Sequence, residues 1–111
     1  MVLGKDDVFV VTFPGKLVRG KVVADRHCEP ETREVVRGCR VQPGASRRAR
    51  DVGGRETSEI RWTVYAPGGA PIMADSFLEW DKETYRVDGV PQRLRGRILD
   101  VLEVALVDWR G

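Results

Sequence analysis

Residues 59–66, Glu59-Ile60-Arg61-Trp62-Thr63-Val64-Tyr65-Ala66, show a regular alternation of side-chain character. Large apolar side chains occupy every second position of this stretch, and polar or half-polar ones fill the positions between them. Because successive side chains of a β-strand point to opposite faces of the sheet, this alternation predicts a half-buried strand. We therefore expect Ile60, Trp62 and Val64 to lie in the core.

The same period-two alternation recurs along the chain, whereas no window of a dozen residues keeps the apolar stripe of an amphipathic helix. Strands are predicted at residues 8–13, 17–24, 34–42, 59–66, 76–80, 84–90 and 101–110. Turn signals separate them, at Pro14-Gly15, Pro43-Gly44, Pro67-Gly68-Gly69, Asp88-Gly89-Val90-Pro91 and Arg95-Gly96. The predicted fold class is therefore all-β.

Length and charge restrict the function classes. A chain of 111 residues is expected to form one domain, residues 1–111, with one modest core. Nineteen basic residues against 17 acidic ones give a net charge of +2, too small for nucleic-acid binding by overall charge. The first residues lack the apolar region of a signal peptide, and no apolar run is long enough to cross a bilayer. We expect synthesis in a cytoplasm and no membrane partner.

Residues 44–58 stand apart, because they show no periodicity and have almost nothing to bury. Structureless segments of this length in compact domains are usually functional or disordered. The segment contains four arginines, Arg47, Arg48, Arg50 and Arg55, and a flexible pair, Gly53-Gly54. Arginines can meet phosphates without reading sequence, and the absence of aromatics favours duplex backbone or an acidic protein surface as the partner. The alternative is a solvated surface loop.

The last predicted strand is apolar on both faces. Val101, Ala105, Val107 and Trp109 share one face with Glu103, and Leu102, Val104 and Leu106 occupy the other. Only one face of a strand in a small barrel meets the core, so the second apolar face indicates contact with a neighbouring subunit. We assign Leu102, Val104 and Leu106 to that subunit interface. The alternative is a strand that the chain's own loops cover.

Few residues are available for catalysis or metal binding. His27 is the sole histidine, and with Cys28 and Cys39 it has no recognised metal-ligand spacing, so a surface histidine and two free thiols are expected. The acidic pairs Asp6-Asp7 and Glu29-Pro30-Glu31 are interpreted as solvated charges. The sequence predicts no enzyme activity, no catalytic residue, no metal and no cofactor.

Three groups of residues, read in order, resemble the head-to-tail stopper, or head-closure, proteins of long-tailed siphovirus-type bacteriophages. They are Val36-Arg37-Gly38-Cys39-Arg40-Val41-Gln42-Pro43, then Thr63-Val64-Tyr65-Ala66-Pro67-Gly68-Gly69, then Tyr85-Arg86-Val87-Asp88-Gly89 with Glu103-Val104-Ala105-Leu106-Val107. The resemblance covers residues 35–111. Where the family has Asp-Gly before the Tyr-containing strand, this chain has Asp81-Lys82-Glu83, so a glycine turn is not expected there.

The resemblance implies a small antiparallel β-barrel with one long inserted loop, residues 44–58. It implies a virion protein of the neck that forms a homo-oligomeric ring between the portal with its adaptor, the head-tail connector protein, and a tail terminator or tail tube protein. The loop would project into the channel and hold packaged double-stranded DNA until ejection. Arg47, Arg48, Arg50, Gly53, Gly54 and Arg55 would then be the DNA-facing residues.

A second function class is a small β-barrel that binds nucleic acid by itself. It requires aromatic side chains on an exposed face. Four aromatics are available, Trp62, Tyr65, Trp80 and Tyr85, and their alternation with polar neighbours favours core positions for most of them.

Overall fold

The computed structural model describes residues 4–25, 27–46 and 59–109. Eight β-strands lie in these ranges. The described residues contain no helix that is long and apolar enough to span a bilayer. The strands are β1 Asp6–Thr12, β2 Gly15–Val18, β3 Lys21–Ala24, β4 Thr32–Pro43, β5 Ile60–Pro67, β6 Phe77–Trp80, β7 Glu83–Arg95 and β8 Asp100–Asp108.

Six of the strands close into an antiparallel barrel in the order β1-β4-β5-β8-β7-β6. The prediction of an all-β fold with a small antiparallel barrel is thus confirmed. Closure removes the two free edges that an open six-stranded sheet would have. Most of the predicted loop, residues 47–58, lies outside the described residues.

The barrel core is built from alternate residues of the strands, as their period of two requires. Leu78, Val87, Val104 and Leu106 are completely buried there. The predicted core residue Val64 is also completely buried, and Trp62 packs against this cluster. Ile60 is buried but lies outside the cluster, because the pairing of β5 with β8 shifts register between Ile60 and Trp62.

The structure corrects the assignment of β8. Leu102, Val104 and Leu106 belong to the core cluster of the same chain, and their exposures are 7%, 0% and 0%. They pair with Ala66, Val64 and Trp62 of β5, whose side chains point to the same side of the sheet. Side chains buried this deeply within one chain offer no surface to a neighbouring subunit. The predicted interface on these three residues is therefore wrong, and they are barrel core.

Residues 17–24 form two strands where one was predicted. Arg19 and Gly20 adopt positive φ angles of 52° and 79° and reverse the chain between β2 and β3. Positive φ at both central residues is the requirement of the tight turn that best matches strand twist. The resulting β2–β3 hairpin is a two-stranded sheet of its own, with no strand pairing to the barrel.

Two other connections were also addressed by the sequence, and only the second differs from the expectation. The β6–β7 turn consists of Asp81 and Lys82 with φ of 50° and 68°, so two non-glycine residues form a two-residue hairpin turn. The predicted turn at residues 88–91 is instead an irregularity inside β7, where the register with β8 shifts between Asp88 and Gln92. Strand β7 therefore continues to Arg95.

Candidate functional site

The arginine-rich segment leaves and rejoins the barrel at one place. The Gly44 N–H donates to the Arg61 carbonyl at 2.9 Å, and the Thr63 hydroxyl donates to the Gly44 carbonyl at 2.8 Å. These bonds link the end of β4 to the start of β5. Both ends of the segment are therefore held at the same end of the barrel, beside Trp62, which pairs with Pro43.

The residues predicted to face DNA are not among those that the structure describes. Arg47, Arg48, Arg50, Gly53, Gly54 and Arg55 all fall within residues 47–58. Their role stays a prediction. Ser46, the last described residue before them, is only 9% exposed.

Two tryptophans lie at the barrel end from which this segment departs. The rings of Trp62 and Trp80 meet edge to face with centroids 6.4 Å apart. The Trp62 indole N–H is buried, and within the described part of the chain it has no hydrogen-bond partner. Buried N–H groups in proteins are nearly always hydrogen-bonded, so this indole is a position to which an acceptor could bind.

The aromatics that a stacking surface for nucleic acid would need are not exposed. Tyr85 is 8% exposed and belongs to the core, and Trp62 and Trp80 pack against it. Tyr65 points outward but is half-buried, and its hydroxyl donates to Glu103 at 3.2 Å. Burial, together with the neighbouring Glu103 carboxylate, raises the pKa of Tyr65. None of the four is among the exposed residues of the described chain.

An aromatic cluster lies outside the barrel, between it and the hairpin. Phe77 and Trp109 have ring centroids 4.2 Å apart, and Phe13 lies 4.8 Å from Trp109 and 5.7 Å from Phe77. The three residues come from distant parts of the chain, at the end of β1, the start of β6 and just after β8. No sequence pattern links them, so sequence reasoning did not find this cluster.

The β2–β3 hairpin carries the most concentrated exposed apolar surface. One face places Val18 and Val23 over an open cavity of about 510 Å³ whose barrel side includes Phe77, Arg86 and Trp109. Side chains alternate along each strand, so Leu17 and Val22 project from the opposite face, away from that cavity. They are directly paired across the hairpin, and their exposures are 75% and 74%.

A second cavity, of about 340 Å³, lies beside the aromatic cluster. Phe13 and Trp109 supply aromatic surface to its lining, and Glu79 and Glu83 supply carboxylates. Cys28 also lines it and is exposed. Glu79 is bound by Arg33 at 2.6 Å.

The far end of β7 and β8 forms an arm with an exposed tip. Arg93 donates to both carboxylate oxygens of Asp100, at 2.9 and 2.7 Å. This bidentate pair lowers the pKa of Asp100, because the guanidinium stabilises the carboxylate. Ile98, in the connection between β7 and β8, is 87% exposed.

Both cysteines have a thiol pKa raised above its ordinary value. Cys28 donates its thiol proton to Asp25 at 3.2 Å, and this bond raises the pKa of the thiol, which disfavours a nucleophilic thiolate. Burial raises the pKa of Cys39 to about 11. Both cysteines are free thiols, as predicted. Within residues 4–25, 27–46 and 59–109, no three His, Cys, Asp or Glu side chains are grouped to hold a metal ion.

Comparison with protein-family models finds no match for this chain, and comparison with curated proteins finds no significant match either.

Proposed function

We propose that this protein is a structural component of a bacteriophage virion, a head-to-tail stopper that forms a ring between the portal adaptor and the tail. Its neighbours are the head-tail connector protein above and a tail terminator or tail tube protein below. The ring closes the channel on packaged double-stranded DNA and docks the tail. The proposed role needs assembly rather than turnover, and no catalytic residue is assigned.

One observation carries the proposal. The two ends of the arginine-rich segment are linked by the Gly44–Arg61 and Thr63–Gly44 hydrogen bonds, so the segment departs from a single point on a closed barrel. Fifteen residues that go out and back reach at most about 25 Å from such a point. In a ring, several such segments are long enough to obstruct a channel that admits duplex DNA.

The charge of the segment agrees with a phosphate partner. Four arginines against Asp51 and Glu56 give residues 44–58 a net charge of +2, equal to that of the whole chain. Contacts of this kind bind any DNA sequence, which a channel needs because the whole genome passes through it. The alternative, an isolated nucleic-acid-binding barrel, is less well supported because Trp62, Tyr65 and Trp80 are half-buried and Tyr85 is buried, whereas base stacking needs exposed rings.

The test uses phage whose genome encodes this chain. Deletion of residues 45–57 is expected to leave the barrel folded and assembled but to let DNA escape from filled heads. Replacement of the four arginines by glutamine should give a partial leak, because the segment keeps its length and loses its charge. The matched control replaces them by lysine, which keeps the charge and should retain DNA.

Two results would contradict the proposal. Full DNA retention in the deletion phage would remove the channel-closing role. Tight, salt-dependent binding of the isolated monomer to short duplex or single-stranded DNA, together with its absence from purified virions, would favour the nucleic-acid-binding module instead.

A further inference from the structure

The open cavity of about 510 Å³ between the β2–β3 hairpin and the barrel has apolar walls on both sides. Val18 and Val23 line it from the hairpin. Phe77 and Trp109, whose ring centroids are 4.2 Å apart, line it from the barrel side. Small-molecule sites in proteins are clefts of about 300–1,000 Å³ with mostly apolar walls and a few polar groups that fix the orientation of the ligand. The cavity has the size and the walls of such a site.

The charged groups of this cavity are cations. Lys16 contributes an ammonium group from the hairpin, and Arg86 contributes a guanidinium group from β7. Lys21 lies on the same face of the hairpin as Val18, because the two residues are directly paired. Among the described residues that line the cavity there is no carboxylate. The cavity therefore presents positive charge beside apolar surface.

The two lining cations are only weakly engaged by carboxylates of the same chain. The Lys16 ammonium lies 3.8 Å from Asp25 and the Arg86 guanidinium lies 3.9 Å from Asp75, and both distances are longer than a hydrogen bond. The side chain of Asp75 is 85% exposed, and exposed ion pairs contribute little. Arg93, by contrast, makes two hydrogen bonds of 2.9 and 2.7 Å to its carboxylate partner. Lys16 and Arg86 therefore retain N–H groups that can bind an anion in the cavity.

We propose that this cavity binds a small amphipathic carboxylate, a molecule that joins one carboxylate group to an aliphatic or aromatic body. The body packs between the valines of the hairpin and the two aromatic rings, and the carboxylate accepts hydrogen bonds from Lys16 and Arg86. The positive charge disfavours a cationic ligand, and a short polar anion leaves the apolar walls in water. This inference goes beyond the proposed stopper role and does not rest on it, because it uses contacts within one chain.

A ligand in this place contacts both the hairpin and the barrel. Strands β2 and β3 form a sheet of their own, and a two-stranded hairpin is at best marginally stable by itself in water. Because the ligand binds only when the hairpin lies against the barrel, its binding stabilises that arrangement. We therefore expect amide hydrogen exchange in β2 and β3 to slow when the ligand is bound.

Isothermal titration calorimetry of the full chain with three probes, used below the concentrations at which they form micelles, tests the site. Decanoate has both the carboxylate and the apolar body. Butyrate keeps the carboxylate on a short body, and decyltrimethylammonium keeps the body with a positive charge. Decanoate should form a one-to-one complex. Each of the other two probes should bind more weakly by about tenfold or more, because it lacks one of the two interactions.

Matched variants show whether decanoate occupies this cavity. Arg86→Gln should weaken decanoate binding about tenfold, because it removes one of the two cations. The control is Arg95→Gln, the same change at an arginine of the distant arm that also lies 3.9 Å from a carboxylate, and it should leave the affinity unchanged. Val23→Ser should weaken binding, because Val23 lines the cavity. Val22→Ser, on the opposite face of the same strand, should not.

Reversal of the charge separates loss of the site from loss of the fold. The double variant Lys16→Glu/Arg86→Glu should bind decyltrimethylammonium more tightly than decanoate, and an unfolded hairpin would not show this inversion. Four outcomes would overturn the inference: no saturable binding of decanoate by the wild-type chain, equal affinities for decanoate and decyltrimethylammonium, equal effects of Arg86→Gln and Arg95→Gln, or decanoate binding that leaves hydrogen exchange in β2 and β3 unchanged.

Discussion

Leu106→Ala tests the placement of β8. A position in the barrel core predicts a large loss of stability in the isolated chain, and an exposed position in a subunit interface predicts a small one. Leu106 is completely buried and lies in the core cluster. Its truncation removes three carbon atoms, which at about 0.8 kcal/mol each amounts to about 2.4 kcal/mol of lost transfer free energy. The cavity left behind adds to this, so we expect the free energy of unfolding to fall by about 3–4 kcal/mol.

The assay is urea unfolding followed by tryptophan fluorescence, because Trp62 and Trp80 pack against the core. The matched control is Leu17→Ala, the same chemical change at a residue that is 75% exposed. Its effect on unfolding should stay within about 0.5 kcal/mol. A loss below about 1 kcal/mol for Leu106→Ala would refute the core placement.

Three further predictions concern titratable groups. Iodoacetamide should label Cys28 in the native protein and Cys39 only after unfolding, and Asp25→Asn should speed labelling of Cys28 because it removes the acceptor that raises the pKa of this thiol. The pKa of Cys39 is raised from 9.0 to about 11 by burial, so stability should fall as pH rises from about 9 to 11, and Cys39→Val should abolish this part of the pH dependence in alkaline urea titrations. The hydrogen bond with Arg93 lowers the pKa of Asp100, so the stability that this carboxylate contributes is present above pH 3.8 and is lost as the pH falls below that value. In acid unfolding, the stabilities of wild type and Asp100→Asn should therefore converge below pH 3.8.

Strand placement could be predicted from the sequence wherever one face of a strand is buried. The alternation in residues 59–66 identified β5, and Val64 lies in the core as expected. The same rule fails for residues 17–24, because their alternation continues through a turn. Arg19 gives no sign of its positive φ, and only Gly20 marks a position where the chain can reverse.

The two apolar faces of β8 show what periodicity does not determine. Period two separates Leu102, Val104 and Leu106 from Val101 and Val107, but it does not say which set faces inward. Pairing with Val64 of β5 and Val87 of β7 places the first set in the core. Val101 and Val107 are also buried, with exposures of 3% and 7%. The sequence therefore indicated that both faces are covered but not which surface stays available for a partner.

The aromatic cluster and the separate β2–β3 hairpin depend on long-range packing. Phe13, Phe77 and Trp109 are far apart in sequence and meet only once the barrel has closed. The hairpin gave a clear strand signal, yet its isolation from the barrel follows from the pairing of β1 with β4 around it. Neither property has a local sequence pattern.

Imaging of the neck at side-chain resolution, in virions whose genome encodes this chain, would show whether the barrel closes the DNA channel. Copies of the barrel should form one closed ring below the portal adaptor, with residues 47–58 directed toward the DNA axis. A neck without this barrel, or a ring whose residues 47–58 lie on its outer surface far from the DNA, would contradict this role.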